Sequence, residues 1–328
     1  MGNPSINCWP GTQTWLGASS ASCRAVSAPG PGIWQSCMHV SNNWPGRDDP
    51  MVKLAMLFNV QQGEGRLVSL LFLHSFFLGM ANNFVQTAAF ALFMVEFDAQ
   101  LLALIYVINA LTVPTLMFLY LRLGKRLSFS RLLAANLGFL FLLIGVFRLG
   151  LGIGTGKAAV FALPVLFQIL AVFTGLEFWT LAGRLFNVRQ GKRLFGLIGA
   201  GQWLAIVLTG LLIPILVTWL GTANLLFLSA AGMAGALGVL LYISRAYAGN
   251  LVVVTAPGPP QQGQLPRNLF KSRYVLLILG LVALWWIAFF FIDNVFYAQA
   301  AVQYPSEEQY ASFLGLFLAV LGVVALIG

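Results

Sequence analysis

Eight apolar runs set the limits on what this chain can become: residues 67–95, 101–121, 131–152, 158–182, 195–219, 223–243, 275–302 and 311–328. Each is near or above the roughly twenty residues an α-helix needs to cross about 30 Å of hydrocarbon, except the last, which meets the chain end. The bilayer core offers no water to unpaired backbone groups, so a span must be a helix or part of a closed barrel. Barrel strands would read as segments of about ten residues with alternating polarity, and unbroken runs exclude them. The expected fold is an all-α transmembrane bundle. Composition agrees, at 59% hydrophobic and 8% charged residues, where soluble domains carry roughly 25% charged.

The net charge of +9 does not point to nucleic acid, because the cations fall in short clusters between the runs rather than on one basic face. Arg122, Lys125, Arg126 and Arg131 lie between the second and third runs. Arg184, Arg189, Lys192 and Arg193 lie between the fourth and fifth, and Arg245, Arg267, Lys271 and Arg273 between the sixth and seventh. The opposite connections hold Glu96 and Asp98, then Lys157, then the uncharged Gly221-Thr-Ala-Asn224, then Glu307 and Glu308. The positive-inside rule then places the amino terminus and the even connections in the cytoplasm, with membrane lipid around the bundle.

Residues 1–50 are rich in Gly, Pro, Ser and Trp and lack the basic-then-apolar order of a secretory signal. They read as a disordered or mis-assigned extension, with Met51 or Met56 as an alternative start. Cys8, Cys23 and Cys37 all lie there, without a C-x-x-C pair or a histidine cluster, so no metal or disulfide framework is implied. Residues 51–243 then form a six-helix half. Residues 244–274 contain Pro257-Gly-Pro259-Pro260-Gln-Gln-Gly-Gln, a linker composition, and 275–328 begin a second half. Six spans, a long cytoplasmic linker and further spans resemble the major facilitator layout of two parallel halves, with eight of twelve expected helices present. Ala81-Asn82-Asn83-Phe84-Val85-Gln86 can be laid on Ile292-Asp293-Asn294-Val295-Phe296-Tyr297, 211 positions later. Both put polar residues in the middle of the first helix of a half.

Polar groups inside apolar helices are where chemistry is expected. Glu177 lies within the fourth run, and a charge there costs roughly 2.5–3.5 kcal/mol on insertion scales, which makes function the default reading. Arg184 lies seven positions on and so on the same face. Glu177 is expected either to look onto a solute or proton path, or to pair structurally with Arg184 or Arg148. Asn82, Asn83 and Gln86, with Asp293 and Asn294, are the candidate solute ligands at a midplane site between the halves. His74, alone on an apolar helix, reads first as a packing residue. Gly150 to Lys157 superficially resembles a phosphate loop but lacks the G-x-x-x-x-G-K-[ST] spacing. No catalytic set and no cofactor loop is found, so neither enzyme activity nor a cofactor is expected.

The segment Leu176-Glu177-Phe-Trp179…Asn187-Val-Arg189-Gln-Gly-Lys192-Arg193-Leu-Phe-Gly196-Leu-Ile-Gly199-Ala200 resembles the fourth and fifth helices of the ATP/ADP translocases of plastid and intracellular-bacterial type. The basic connection Tyr120-Leu-Arg122-Leu-Gly-Lys-Arg126-Leu-Ser128 is similar to that family's second loop. The resemblance implies a twelve-helix carrier that exchanges nucleotides by alternating access, in a bacterial inner membrane or a plastid inner envelope. It implies a solute site formed by Glu177, Arg184, Arg148, Asn82, Asn83, Gln86, Asp293 and Asn294. One departure bears on the substrate. Where the family has a charged first-helix stretch, this chain has Asn82-Asn-Phe-Val-Gln86, with no cation. A smaller or less charged solute is then expected. The alternatives are a major facilitator carrier of another small solute, or a membrane sensor or anchor that does not transport.

Overall fold

The structure, a computed structural model, describes residues 60–61, 64–152, 156–247 and 272–327. Residues 1–50 and most of the 244–274 linker lie outside the described residues. Among those described are eight helices long and apolar enough to span a membrane. They are α1 (Gly65–Glu96), α2 (Leu101–Gly124), α3 (Phe129–Gly152), α4 (Gly156–Leu185), α5 (Val188–Leu220), α6 (Leu225–Ala246), α7 (Arg273–Gln303) and α8 (Glu307–Ile327). A short 3₁₀ turn, Thr222–Asn224, joins α5 to α6, entered through Gly221 at φ +81°. The fold class is the expected all-α transmembrane bundle.

Helix α1 is the axis of the assembly. It packs against α4, α5, α6 and α8, and its buried residues run from Leu67 to Met94. A helix enclosed on several sides can carry polar residues in mid-span because each finds a partner on a neighbour. The close neighbours are admitted by glycine. A Cβ placed on Gly201 of α5 would lie 2.4 Å from the Phe72 carbonyl oxygen, and one on Gly79 of α1 would lie 2.7 Å from the Gln202 carbonyl oxygen. Helix α5 meets α8 by the same device, Gly210 against the carbonyl of Gly315. In a membrane, where lipid is as apolar as leucine, such close backbone approach is a main source of helix association.

The fifth helix starts earlier than its apolar run. Hydropathy places its beginning at 195, but α5 starts at Val188, and the basic cluster Arg189, Lys192 and Arg193 occupies its first turns. A capping box explains this. The Asn187 side chain accepts from the Gln190 amide at 2.9 Å, and the Gln190 side chain accepts from the Asn187 amide at 3.0 Å. Gln190 also donates to Glu64 at 2.8 Å, and Arg193 pairs with the same carboxylate at 2.5 Å, fastening the start of α5 to the start of α1. Arg66 donates to the Tyr242 hydroxyl, bringing the end of α6 to the same end of the bundle. Lys157 and Glu96 meet at 2.8 Å at the opposite end.

Helix α7 is buried only at Tyr297 and Ala300. Such a long apolar exposed surface is suited to lipid or to further helices, not to water. Among its attachments is a contact with α1 at the positions that the sequence alignment pairs. The Tyr297 ring stacks on Phe90 at 4.0 Å between centroids, and its hydroxyl accepts from Gln86 at 3.5 Å.

Candidate functional site

The polar residues of α1 sort into two neighbouring groups along its length. In the first, Asn82 donates to the Leu78 carbonyl at 3.0 Å and to the Thr174 hydroxyl of α4 at 2.9 Å. The Thr174 hydroxyl in turn donates to the Leu170 carbonyl at 2.7 Å. Asn83 makes the matching bond to α5, donating to the Thr209 hydroxyl at 2.7 Å, while Thr209 donates to the Ala205 carbonyl at 2.6 Å. Adjacent residues on a helix point about 100° apart, so Asn82 and Asn83 reach different neighbours. Between these contacts lies a cavity of about 130 Å³, whose polar wall is Asn82, Asn83, Gln86, Thr174 and Gln202, closed by Phe167, Phe178 and Ile206.

No charged residue lines this cavity. The amide protons of Asn82 and Asn83 are engaged by the protein, but the buried side-chain oxygens of both have no hydrogen-bond partner. A buried acceptor left unmatched costs roughly 1–3 kcal/mol, so both asparagines are held at a cost beside the cavity.

The second group lies toward the start of α1. His74 and Glu177 are both 0% exposed. Their side chains meet at 2.9 Å between Nε2 and Oε2, and the other ring nitrogen, Nδ1, lies 3.1 Å from the carbonyl oxygen of Ala236 on α6. Phe178 stacks on the imidazole at 6.4 Å. The structure therefore corrects two expectations. Glu177 is not paired with Arg184 or Arg148, and it does not line the cavity, although its neighbours Gly175 and Phe178 do. His74 is its partner and not merely a packing residue.

The other expected site residues are dispersed. Arg184 is exposed, with its guanidinium 3.8 Å from the centroid of the Phe129 ring. Seven helical residues set it about 10 Å along the axis from Glu177, too far for contact. Arg148, near the far end of α3, donates from Nε to Asn224 Oδ1 at 3.2 Å and stacks over Phe227 at 4.6 Å. Asp293 of α7 accepts from the Tyr106 hydroxyl of α2 at 3.1 Å, and Asn294 is half-buried beside it. Of the expected residues, the cavity gathers Asn82, Asn83 and Gln86. It adds Thr174 and Gln202, which the sequence reading did not single out. A polar residue one helical turn before the charged one could have drawn attention to Thr174.

Comparison with known proteins bears on what such a cavity serves. Residues 263–328 match the family model for the TLC ATP/ADP transporter. The match supports the nucleotide-translocase resemblance, and it falls on a different part of the chain from residues 176–200, where that resemblance was drawn. No curated protein and no solved structure matches the chain. The family match and the eight spans together support a multi-pass membrane transporter.

Proposed function

We propose that the chain is a secondary carrier working by alternating access of two helical lobes around the α1–α4–α5 cavity, and that its solute is of nucleoside type and less charged than ATP. The observation that carries this reading is the uncharged polar cavity beside buried, unmatched amide oxygens. A phosphate chain taken out of water needs fixed cations in fork geometry. The cations nearest to membrane depth, Arg148 and Arg184, are held by Asn224 and Phe129. A wall of amides and a hydroxyl favours a solute that presents hydrogen-bonding groups, as a base edge or a ribose does. At about 130 Å³ the cavity is smaller than the roughly 300–1,000 Å³ of sites for drug-sized ligands, so it suits one such fragment rather than a whole nucleotide.

The contact between Gln86 and Tyr297, equivalent positions in the repeat, supports a two-lobed arrangement with a second lobe beginning at α7. The split of cations between connections supports a cytoplasmic amino terminus, in a bacterial inner membrane or plastid inner envelope. ATP/ADP antiport is the reading that the family description favours by itself. Uptake into vesicles carrying the protein separates the two. Labelled adenosine should enter and be displaced by unlabelled adenosine more effectively than by ATP. Counter-exchange of ATP with ADP, unaffected by excess adenosine, would overturn the less-charged-solute reading in favour of antiport.

A further inference from the structure

The carbonyl of Ala236 can only accept a hydrogen bond, so the His74 Nδ1 facing it must carry a proton. This leaves Nε2 as the site whose protonation is in question. At 2.9 Å from Glu177 Oε2, the contact holds one proton, shared as either imidazolium with carboxylate or imidazole with carboxylic acid. Without that proton, the imidazole lone pair would face a carboxylate and leave a net negative charge buried in hydrocarbon. Glu177 Oε1 is buried and has no hydrogen-bond partner. A bare carboxylate oxygen in a dry interior is far more costly than a bare carbonyl oxygen of a neutral acid. One proton held between Glu177 Oε2 and His74 Nε2 keeps the pair neutral overall.

We infer that Glu177 and His74 form a proton-binding site whose proton is carried across the membrane with the solute. The inference rests on the carrier reading above. It follows from where the pair lies. Among the described residues, two side-chain hydrogen bonds join α1 to α4, Asn82 with Thr174 at the cavity and His74 with Glu177 one turn further along α4, with Phe90 on Phe167 and Phe93 on Phe161 closing the seam beyond them. A solute that takes over the Asn82 contact loosens the same seam that keeps water from the proton. Opening to one side of the membrane lets the pair exchange its proton with that side, and closure traps it again. Among the described residues, Tyr120 of α2 lies within electrostatic reach of Glu177. Helix α6 contributes the Ala236 carbonyl, α3 contributes Asn136 bonded to the Phe173 carbonyl, and the cations Arg184 and Arg193 are engaged by Phe129 and Glu64. Among the described residues, His74 is the partner recorded for the Glu177 carboxyl group.

The test uses the full protein in sealed vesicles enclosing a pH-sensitive dye, with labelled adenosine outside. Imposing one unit of pH difference, acid outside, should sustain about tenfold accumulation at one proton per solute. Adenosine entry should acidify the lumen. Glu177→Gln and, separately, His74→Asn should abolish both accumulation and acidification, while exchange of labelled for unlabelled adenosine at equal concentrations persists. That exchange shows that the variants are folded. Wild-type accumulation without a proton signal, or variants that still accumulate, would overturn the proton site and leave the carrier reading standing. Absence of uptake and exchange of both adenosine and ATP by the wild type would overturn the carrier reading, and the coupling with it.

Discussion

Replacing Gly201 with leucine is expected to remove folded protein from the membrane. The obstacle is backbone against backbone. Even the first added carbon would lie 2.4 Å from the Phe72 carbonyl oxygen and 3.3 Å from the Phe76 amide nitrogen, and neither can rotate away. Helices α1 and α5 would have to separate along the contact that also includes Gly79 and Asn83. Overpacking by a methylene or two costs about 1–3 kcal/mol where side chains can adjust, and a whole leucine against main chain exceeds that range. Gly138→Ala is the matched control, because nothing lies within 4 Å of a Cβ at that position on α3. It should be neutral or stabilising by up to about 1 kcal/mol through helix propensity. Thermal unfolding in detergent, followed by the loss of a monodisperse elution peak, measures both. A Gly201→Leu variant with wild-type stability would show that α1 and α5 do not approach as closely as described.

The second large effect is on transport rather than on folding. Asn82→Ala removes the bond to Thr174 and a polar group of the cavity wall together. Interhelical hydrogen bonds in membranes average about 0.6 kcal/mol, so the bundle should lose little stability. A donor on the solute that loses its acceptor in a dry cavity is a heavier loss, about 1.4 kcal/mol or more, which corresponds to at least tenfold in uptake. The expected outcome is near-normal thermal stability with adenosine uptake reduced about tenfold or more. Thr174→Val should weaken uptake less, because the Thr174 hydroxyl already donates to Leu170. Equal losses of stability and uptake in Asn82→Ala would reduce the residue to a helix clamp.

Much of the scaffold could be read from the chain alone. Apolar length finds all eight spans, because a helix in hydrocarbon needs no alternation to declare itself. Hydropathy starts α5 late because it passes over the basic residues 189–193, although Asn187 and Gln190 spell a capping box. Asn82, Asn83 and Gln86 stand out in the sequence as mid-span amides, and all three line the cavity. The partner of Glu177 was not legible. His74 lies 103 positions away, and its meeting with Glu177 depends on how α1 and α4 cross. Charge complementarity along the chain suggested Arg184 instead, but spacing on one helix fixes a face and not a contact. An arginine near a span end can reach outward to an aromatic ring, as Arg184 does over Phe129. A carboxyl and an imidazole closed in by helices on all sides have no such exit, so they settle on each other.

The central claim is that the α1–α4–α5 cavity opens alternately to the two sides of the membrane. Gly175 lines this cavity and has no atom within 4 Å of a prospective Cβ, so a cysteine fits there without crowding. With Cys8, Cys23 and Cys37 replaced by serine, Gly175→Cys provides one thiol at the cavity wall, to be probed with a membrane-impermeant reagent from each face in turn. The account predicts labelling from both faces, slowed by adenosine in each case. A thiol that reacts from one face alone, whatever solute or pH is applied, would contradict it.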